Sequence, residues 1–306
     1  MGVENCQLRI SDYSFKSPQA GSYIIQIPMQ YLNLIKLNCI LILRNKNIFK
    51  AFGNSEAETL NKESFLFKDY TLSLNDFLTI NNLTDTICKF QPLDNKRQNI
   101  AEFIGMLINS FILYHELGHV RQLNFISNSE VLEVEFKELR DNRKKWREQA
   151  AEVDADIFAI HFIWGDVFSN LRNFNSNAIY DSREELLILA LYSVFLFFYL
   201  SNTSNNIRDR TSEHPHPIVR FSIVSNFLQE LTLKNSIVDS NIAFNKIVQI
   251  ALRELDSTLK YHFNISESKL YYKKFIDPSI TIEKSIMQHF IARDETLNFN
   301  RPYVFQ

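Results

Sequence analysis

The spacing of apolar residues divides the chain into two regions. Before about residue 95, short apolar runs such as residues 22–28 (SYIIQIP) and 37–43 (LNCILIL) favour strands. Residues 45–47 and 53–54 offer turns in this region. Beyond about residue 95, apolar residues recur every three or four positions, which predicts helices. The pattern therefore predicts an α/β region over residues 1–95 and a helical domain over residues 96–306.

The helical part begins with a periodic apolar face that ends in two histidines. Its members are Ile100, Phe103, Ile104, Leu107, Phe111, Ile112, His115 and His119. Further helices are predicted over residues 131–168, 186–200, 218–231, 241–264 and 280–293. Polar stretches separate several of these helices, and Pro217 is expected near the first turn of one of them. The predicted fold class is α+β, with a mainly helical domain and a smaller α/β region before it.

The segment from Leu186 to Leu200 is the most apolar part of the chain (LLILALYSVFLFFYL). As a helix it would be about 22 Å long, shorter than the roughly 30 Å hydrocarbon core of a membrane. We therefore expect a helix that is buried on all sides within the fold. A helix that dips into a membrane is the alternative.

Composition and charge narrow the function classes. Hydrophobic residues make up 45% and charged residues 22% of the 306 positions, which is ordinary for a globular protein. A net charge of −2 gives no reason to expect nucleic-acid binding. The three cysteines form no CxxC pair, and the first residues lack the pattern of a secretory signal. We therefore expect free thiols and a cytoplasmic location, with membrane association less favoured.

Residues His115 to His119 spell HELGH, the strongest chemical signal in the chain. Histidines four positions apart on a helix lie on one face, so both imidazoles can bind one Zn²⁺. The glutamate between them, Glu116, is then placed to act as a general base on water. Gly118 is expected to allow a neighbouring segment to approach the helix closely.

A catalytic zinc needs a third protein ligand, and Glu152 is the best candidate. Asp156 lies one helical turn after it, and we expect Asp156 to accept a hydrogen bond from a ligating imidazole. Ala155 is small, so this helix can come close to the HELGH helix. Glu148, one turn before Glu152, is the alternative ligand.

A later segment, TSEHPHPIVR, carries His214, His216 and Arg220. One of its two histidines could stabilise the oxyanion that forms when water attacks a carbonyl, and the sequence does not decide between them. Arg220 could pair with Asp156, with Glu116 or with a substrate carboxylate. The competing interpretation is a polar loop whose prolines separate two helices.

HELGH with the downstream segment Glu152-Val153-Asp154-Ala155-Asp156 resembles the gluzincin metallopeptidases, which combine HExxH with ExxAD. His214-Pro215 with Arg220 is similar to an element of the CAAX-prenyl-protease-like branch, whose members carry several transmembrane helices. In size and in apparent lack of such helices, the chain looks more like the Lit-type peptidases of phage exclusion. That resemblance implies a zincin-like domain in a bacterial cytoplasm, with a host translation factor as the class of protein substrate.

The ImmA/IrrE-like regulatory proteases offer a second resemblance. Their HELGH and E-x-E-A-[ND]-x-F-A motifs are similar to His115–His119 and to residues 152–159. This resemblance implies cleavage of a repressor. A non-catalytic zinc-binding interaction protein is a third hypothesis, but a glutamate between the two histidines has no purpose in a purely structural site.

Overall fold

A computed structural model of the chain describes residues 7–11, 19–21, 24–58, 91–126, 140–172, 182–200, 215 and 217–262. The fold within these ranges is mainly helical with one small sheet. The strands are β1 (Gln7–Ser11), β2 (Gln19–Gly21) and β3 (Ile24–Pro28). The helices are α1 (Met29–Arg44), α2 (Asn95–Ile126), α3 (Arg140–Arg172), α4 (Arg183–Leu200), α5 (Pro217–Lys234) and α6 (Asn241–Tyr261). The predicted mainly helical α+β class is confirmed.

The sheet has the strand order β1-β3-β2 and packs on helix α2. β1 runs parallel to β3, with Leu8 opposite Ile25, and β2 runs antiparallel to β3, with Ala20 opposite Ile25. Ile25 and Ile27 point into the core from β3, as their period-two spacing requires. The chain passes directly from β3 into α1, so the sheet sets where α1 begins.

The prediction of a strand over residues 37–43 was wrong, because these residues lie in helix α1. Leu37, Ile40 and Leu43 are buried, and so are the residues between them. A segment that is buried on all sides shows a continuous apolar run whether it is helical or extended. Periodicity could not separate the two. The predicted turn after this segment is confirmed at residues 46–47, where the backbone N–H of Ile48 bonds to the carbonyl of Asn45.

Later helices agree more closely with the sequence prediction. α5 begins at Pro217, and α6 covers most of the predicted range 241–264. The described part of α3 begins at Arg140, and the predicted start at residue 131 lies outside the described residues. The predicted helix over residues 280–293 lies outside the described residues.

Helix α4 runs through the centre of the core, as predicted from its composition. Every residue from Leu186 to Phe198 is buried. Its polar groups are satisfied inside the protein: the Tyr192 hydroxyl lies 2.7 Å from Thr258 Oγ1, and Ser193 donates to the carbonyl of Leu189. Among the described helices, Asn95–Gln122 within α2 is long and apolar enough to span a membrane. That criterion rests on length and composition, and a core helix also meets it.

Cys39 in α1 is a buried free thiol, as expected from the absence of a CxxC pair. Burial raises the pKa of Cys39 to about 12, so the thiol stays protonated and chemically inert. Cys6 and Cys88 lie outside the described residues.

Arg97, at the start of α2, organises the loop after α1. Its guanidinium is fully buried and donates hydrogen bonds of 2.8–3.1 Å to five backbone carbonyls. The acceptors are Leu43, Asn45, Ile48, Phe49 and Phe52. Glu58 lies 3.8 Å from the Arg97 Nε and accepts from the backbone N–H groups of Leu93 and Asp94. One side chain therefore ties the end of α1 to the beginning of α2.

We expect Arg97→Lys to lower the free energy of unfolding by about 3 kcal/mol or more. A lysine ammonium has three donors and cannot satisfy five carbonyls that the fold has already removed from water. Lys96→Met is the control, because Lys96 makes a partly exposed ion pair with Glu185 and should change stability by about 1 kcal/mol or less. Urea unfolding of both variants measures the difference. Equal losses in the two variants would contradict the role given to Arg97.

Candidate metal centre

The candidate site lies at a close contact between helices α2 and α3. Gly118 of α2 faces Ala155 of α3 so closely that a Cβ at position 118 would lie 2.9 Å from the Ala155 Cα. The predicted close packing at Gly118 is therefore confirmed. Because Gly118 and Ala155 are small, the two helices lie close together. Side chains within one turn of this contact can then meet in a shared space between the helices.

His115 and His119 of α2 and Glu152 of α3 meet in that space. The Nε2 atoms of the two histidines are 3.1 Å apart. The Glu152 carboxylate oxygens lie 3.3 Å from each of these nitrogens. The three side chains form a group that could hold a metal ion, with His115 buried and the other two half-buried. Glu152, the preferred third ligand from the sequence, completes this group among the described residues.

Asp156 and Arg220 lie on the Nδ1 side of His115, away from the other two candidate ligands. Asp156 Oδ1 lies 2.9 Å from the Nδ1 atom of His115. Arg220 of α5 donates two hydrogen bonds to the same carboxylate, at 2.7 and 2.6 Å. The Arg220 guanidinium lies 4.4 Å from the centre of the Phe198 ring of α4. Of the three partners that the sequence allowed for Arg220, the structure places it on Asp156.

These charges determine the protonation of the site. Burial alone would raise the pKa of Asp156, but the charge and hydrogen bonds of Arg220 hold it below its ordinary value. Burial alone would lower the pKa of His115, but its contacts with Asp156 and Glu152 outweigh that effect and raise it to about 10. Asp156 is therefore a carboxylate, and it faces the Nδ1 side of His115. The Nε2 side is the one that faces the other two candidate ligands.

His119 has a different support, the side chain of Gln122. The Nδ1 atom of His119 lies 3.1 Å from Gln122 Oε1, so the opposite ring nitrogen faces His115 and Glu152. Both histidines are thus oriented in the same way, one by a carboxylate and the other by an amide.

Glu116 is buried in α2 between the two histidines, and its charge acts on Tyr31 in the first turn of α1. Burial raises the pKa of Tyr31 to about 12, the charge of Glu116 adds to the rise, and the charge of Arg220 opposes it. The phenol consequently stays protonated at all physiological pH values. α1 reaches this position because it runs antiparallel to α2, with Arg97 bonded to Leu43 at the other end of the pair.

The structure leaves part of the predicted site untested. His214 and His216 lie outside the described residues, whereas Pro215 between them is buried. Tyr31 and Gln122 are two neighbours of the site that sequence reasoning missed. Gln122 lies three positions after His119, a spacing at which helical side chains meet, so that signal was available. No sequence signal pointed to Tyr31, which is more than eighty residues away.

An inward-facing His–Glu cluster of this kind, with a glutamate between two histidines on one helix, is typical of peptide-bond hydrolases. The model of the peptidase U49 family matches residues 68–239, which include both helices of the site and Arg220. The match covers more than half of the chain, and the chain belongs to the peptidase U49 family. No curated protein and no solved structure matches the chain significantly. The protein is therefore a peptidase.

We expect Gly118→Ala to weaken metal binding at least tenfold and to destabilise the protein. Alanine is the better helix former by about 1 kcal/mol, but its Cβ would collide with the Ala155 backbone and force α2 and α3 apart. Competition with a chromophoric chelator measures the metal affinity, and thermal unfolding measures stability.

Gly165→Ala on the exposed side of α3 is the matched control for this substitution. No atom of the described residues lies within 4 Å of a Cβ at position 165. The control should stabilise the protein by about 0.5–1 kcal/mol and leave metal affinity unchanged. If Gly118→Ala behaved like Gly165→Ala, the close contact would have no bearing on the metal site.

Proposed function

We propose that this peptidase is a zinc-dependent endopeptidase that cuts a protein substrate in the bacterial cytoplasm. The observation that carries the proposal is the convergence of His115, His119 and Glu152 within 3.3 Å of one another. Zinc ligands at about 2.0–2.1 Å in a tetrahedron are separated by about 3.3 Å, so this spacing suits Zn²⁺. Two imidazoles and one carboxylate also match the donor set of catalytic zinc sites, which leave one position open.

The chemistry divides between the ion and the protein. Bound Zn²⁺ would lower the pKa of water toward neutrality and polarise the scissile carbonyl. Glu116 takes a proton from the attacking water and returns it to the leaving amine, which balances the hydrolysis. His214 or His216 is proposed to stabilise the oxyanion, in keeping with the sequence prediction.

The biological role that we propose is phage exclusion, with a host translation factor as the class of substrate. The proposal rests on the resemblance of the HELGH and Glu152–Asp156 motifs to the Lit-type peptidases. Cleavage of one abundant host protein would stop translation in an infected cell. No nucleic-acid partner is proposed, since the net charge of −2 offers no general attraction to phosphates.

We expect Glu116→Gln to retain bound zinc and to lose about 100-fold or more of the cleavage rate. The amide keeps the shape of the side chain but cannot accept a proton. His115→Ala should lose both zinc and activity, because it removes a ligand. Glu102→Gln, the same substitution at an exposed position of the same helix, should leave both unchanged. Bound zinc is measured by elemental analysis, and a Glu116→Gln protein that still cleaves would overturn the assignment.

The substrate can be found by comparing new protein N-termini in bacterial cells that express the wild type or Glu116→Gln. We expect one internal cleavage in a translation factor, present only with the wild type and increased by phage infection. A cleaved repressor would favour the ImmA/IrrE-like alternative. If the zinc-loaded wild type produced no new N-terminus under either condition, the proposal of an endopeptidase in phage exclusion would be wrong.

A further inference from the structure

Gln122 is a buried polar side chain that joins the two helices of the candidate metal centre. It is 4% exposed and lies one turn after His119 on α2. Its oxygen lies 3.1 Å from the Nδ1 atom of His119. Its nitrogen donates to the carbonyl of Ala151 at 2.7 Å and to the carboxylate of Asp154 at 2.8 Å. All three polar contacts of the amide are therefore short and directed.

These partners allow one orientation of the Gln122 amide. Ala151 O and Asp154 Oδ2 are acceptors, so the group that faces them has to be the NH₂. The oxygen must then face His119, where it can only accept. Consequently the proton of a neutral His119 ring lies on Nδ1, and the Nε2 lone pair faces His115 and Glu152. The tautomer of His119 is thus set by atoms on the other helix.

The same contacts act on the third candidate ligand. Ala151 and Asp154 flank Glu152 in the sequence, so the two hydrogen bonds of the Gln122 nitrogen hold the turn of α3 that carries Glu152. We propose that Gln122 is a positioning residue, which sets the His119 tautomer and the approach of Glu152 to His119 at the same time. This inference rests on the proposed metal site and names a further residue on which that site depends.

A neutral amide suits this position better than a carboxylate. Asp154 already accepts from Arg121 at 2.6 Å as well as from Gln122. A second carboxylate at position 122 would face both Asp154 and the Ala151 carbonyl without a proton to donate. A charged carboxylate is tolerated next to His115 because the Arg220 guanidinium balances the charge of Asp156. The two histidines therefore need different supports.

The test compares Gln122→Met and Gln122→Asn with the wild type in metal binding. Methionine matches the size of glutamine but offers no directed acceptor, and asparagine is one methylene too short to reach His119. We expect both variants to bind Zn²⁺ about 10–100-fold more weakly, the usual effect of removing such a hydrogen bond to a metal ligand. With Co²⁺ in place of zinc, the visible absorption bands should change in position and intensity. Circular dichroism checks that the variants are folded.

Arg121→Met is the matched control. Arg121 makes an equally short link from α2 to Asp154 of α3, and that link does not involve His119. Loss of the link alone should lower the melting temperature without changing zinc affinity or the cobalt spectrum. Equal losses of affinity in Arg121→Met and the Gln122 variants would reduce Gln122 to a helix-joining role and overturn the proposal.

The other outcomes are also decisive. Unchanged zinc affinity and cobalt spectrum in both Gln122 variants would overturn the positioning role while leaving the zinc assignment intact. Failure of both variants to fold would assign Gln122 to the stability of the fold instead. A wild-type protein that binds neither Zn²⁺ nor Co²⁺ would overturn the proposed function, and the inference on Gln122 with it.

Discussion

The contact between Gly118 and Ala155 is the constraint on which the candidate site depends. Two of its candidate ligand residues belong to α2 and the third belongs to α3, so the site cannot form unless these helices touch. A hydrogen atom at position 118 is what permits the contact, because a Cβ there would lie 2.9 Å from the Ala155 Cα. The short distances between His115, His119 and Glu152 result from this approach. The assembly of the candidate metal site therefore depends directly on how these two helices pack.

Two buried arginines hold other parts of the structure in place, and they bind different kinds of partner. Arg97 has mainly backbone carbonyls as partners and ties α1 to the start of α2. Arg220 pairs with the carboxylate of Asp156, which in turn orients His115. A buried guanidinium is stable only when its donors are satisfied, so each arginine forces its surroundings into one arrangement. The second arrangement directs the Nε2 side of His115 toward the other candidate ligands.

Sequence reasoning succeeded where the relevant geometry is local. The four-residue spacing of His115 and His119, the start of α5 at Pro217 and the burial of Leu186–Phe198 are properties of single helices. It failed over residues 37–43, where an apolar run is buried on all sides and has no period to read. It left Arg220 with three possible partners, and it missed Tyr31 because that residue reaches the site through the packing of α1 on α2.

The amino-acid sequence by itself determined the chemical type of the site. HELGH on a helix places two imidazoles on one face with a glutamate between them in the sequence. Glu152 and Asp156 are likewise four residues apart, so they lie on one face of another helix. The tertiary structure alone decided which groups meet: Glu152 with the two histidines, Arg220 with Asp156, and Gln122 with Ala151 and Asp154. The physical reason is that helical periodicity acts over four or five residues. Contacts between helices depend on side-chain volume and burial across distant parts of the chain.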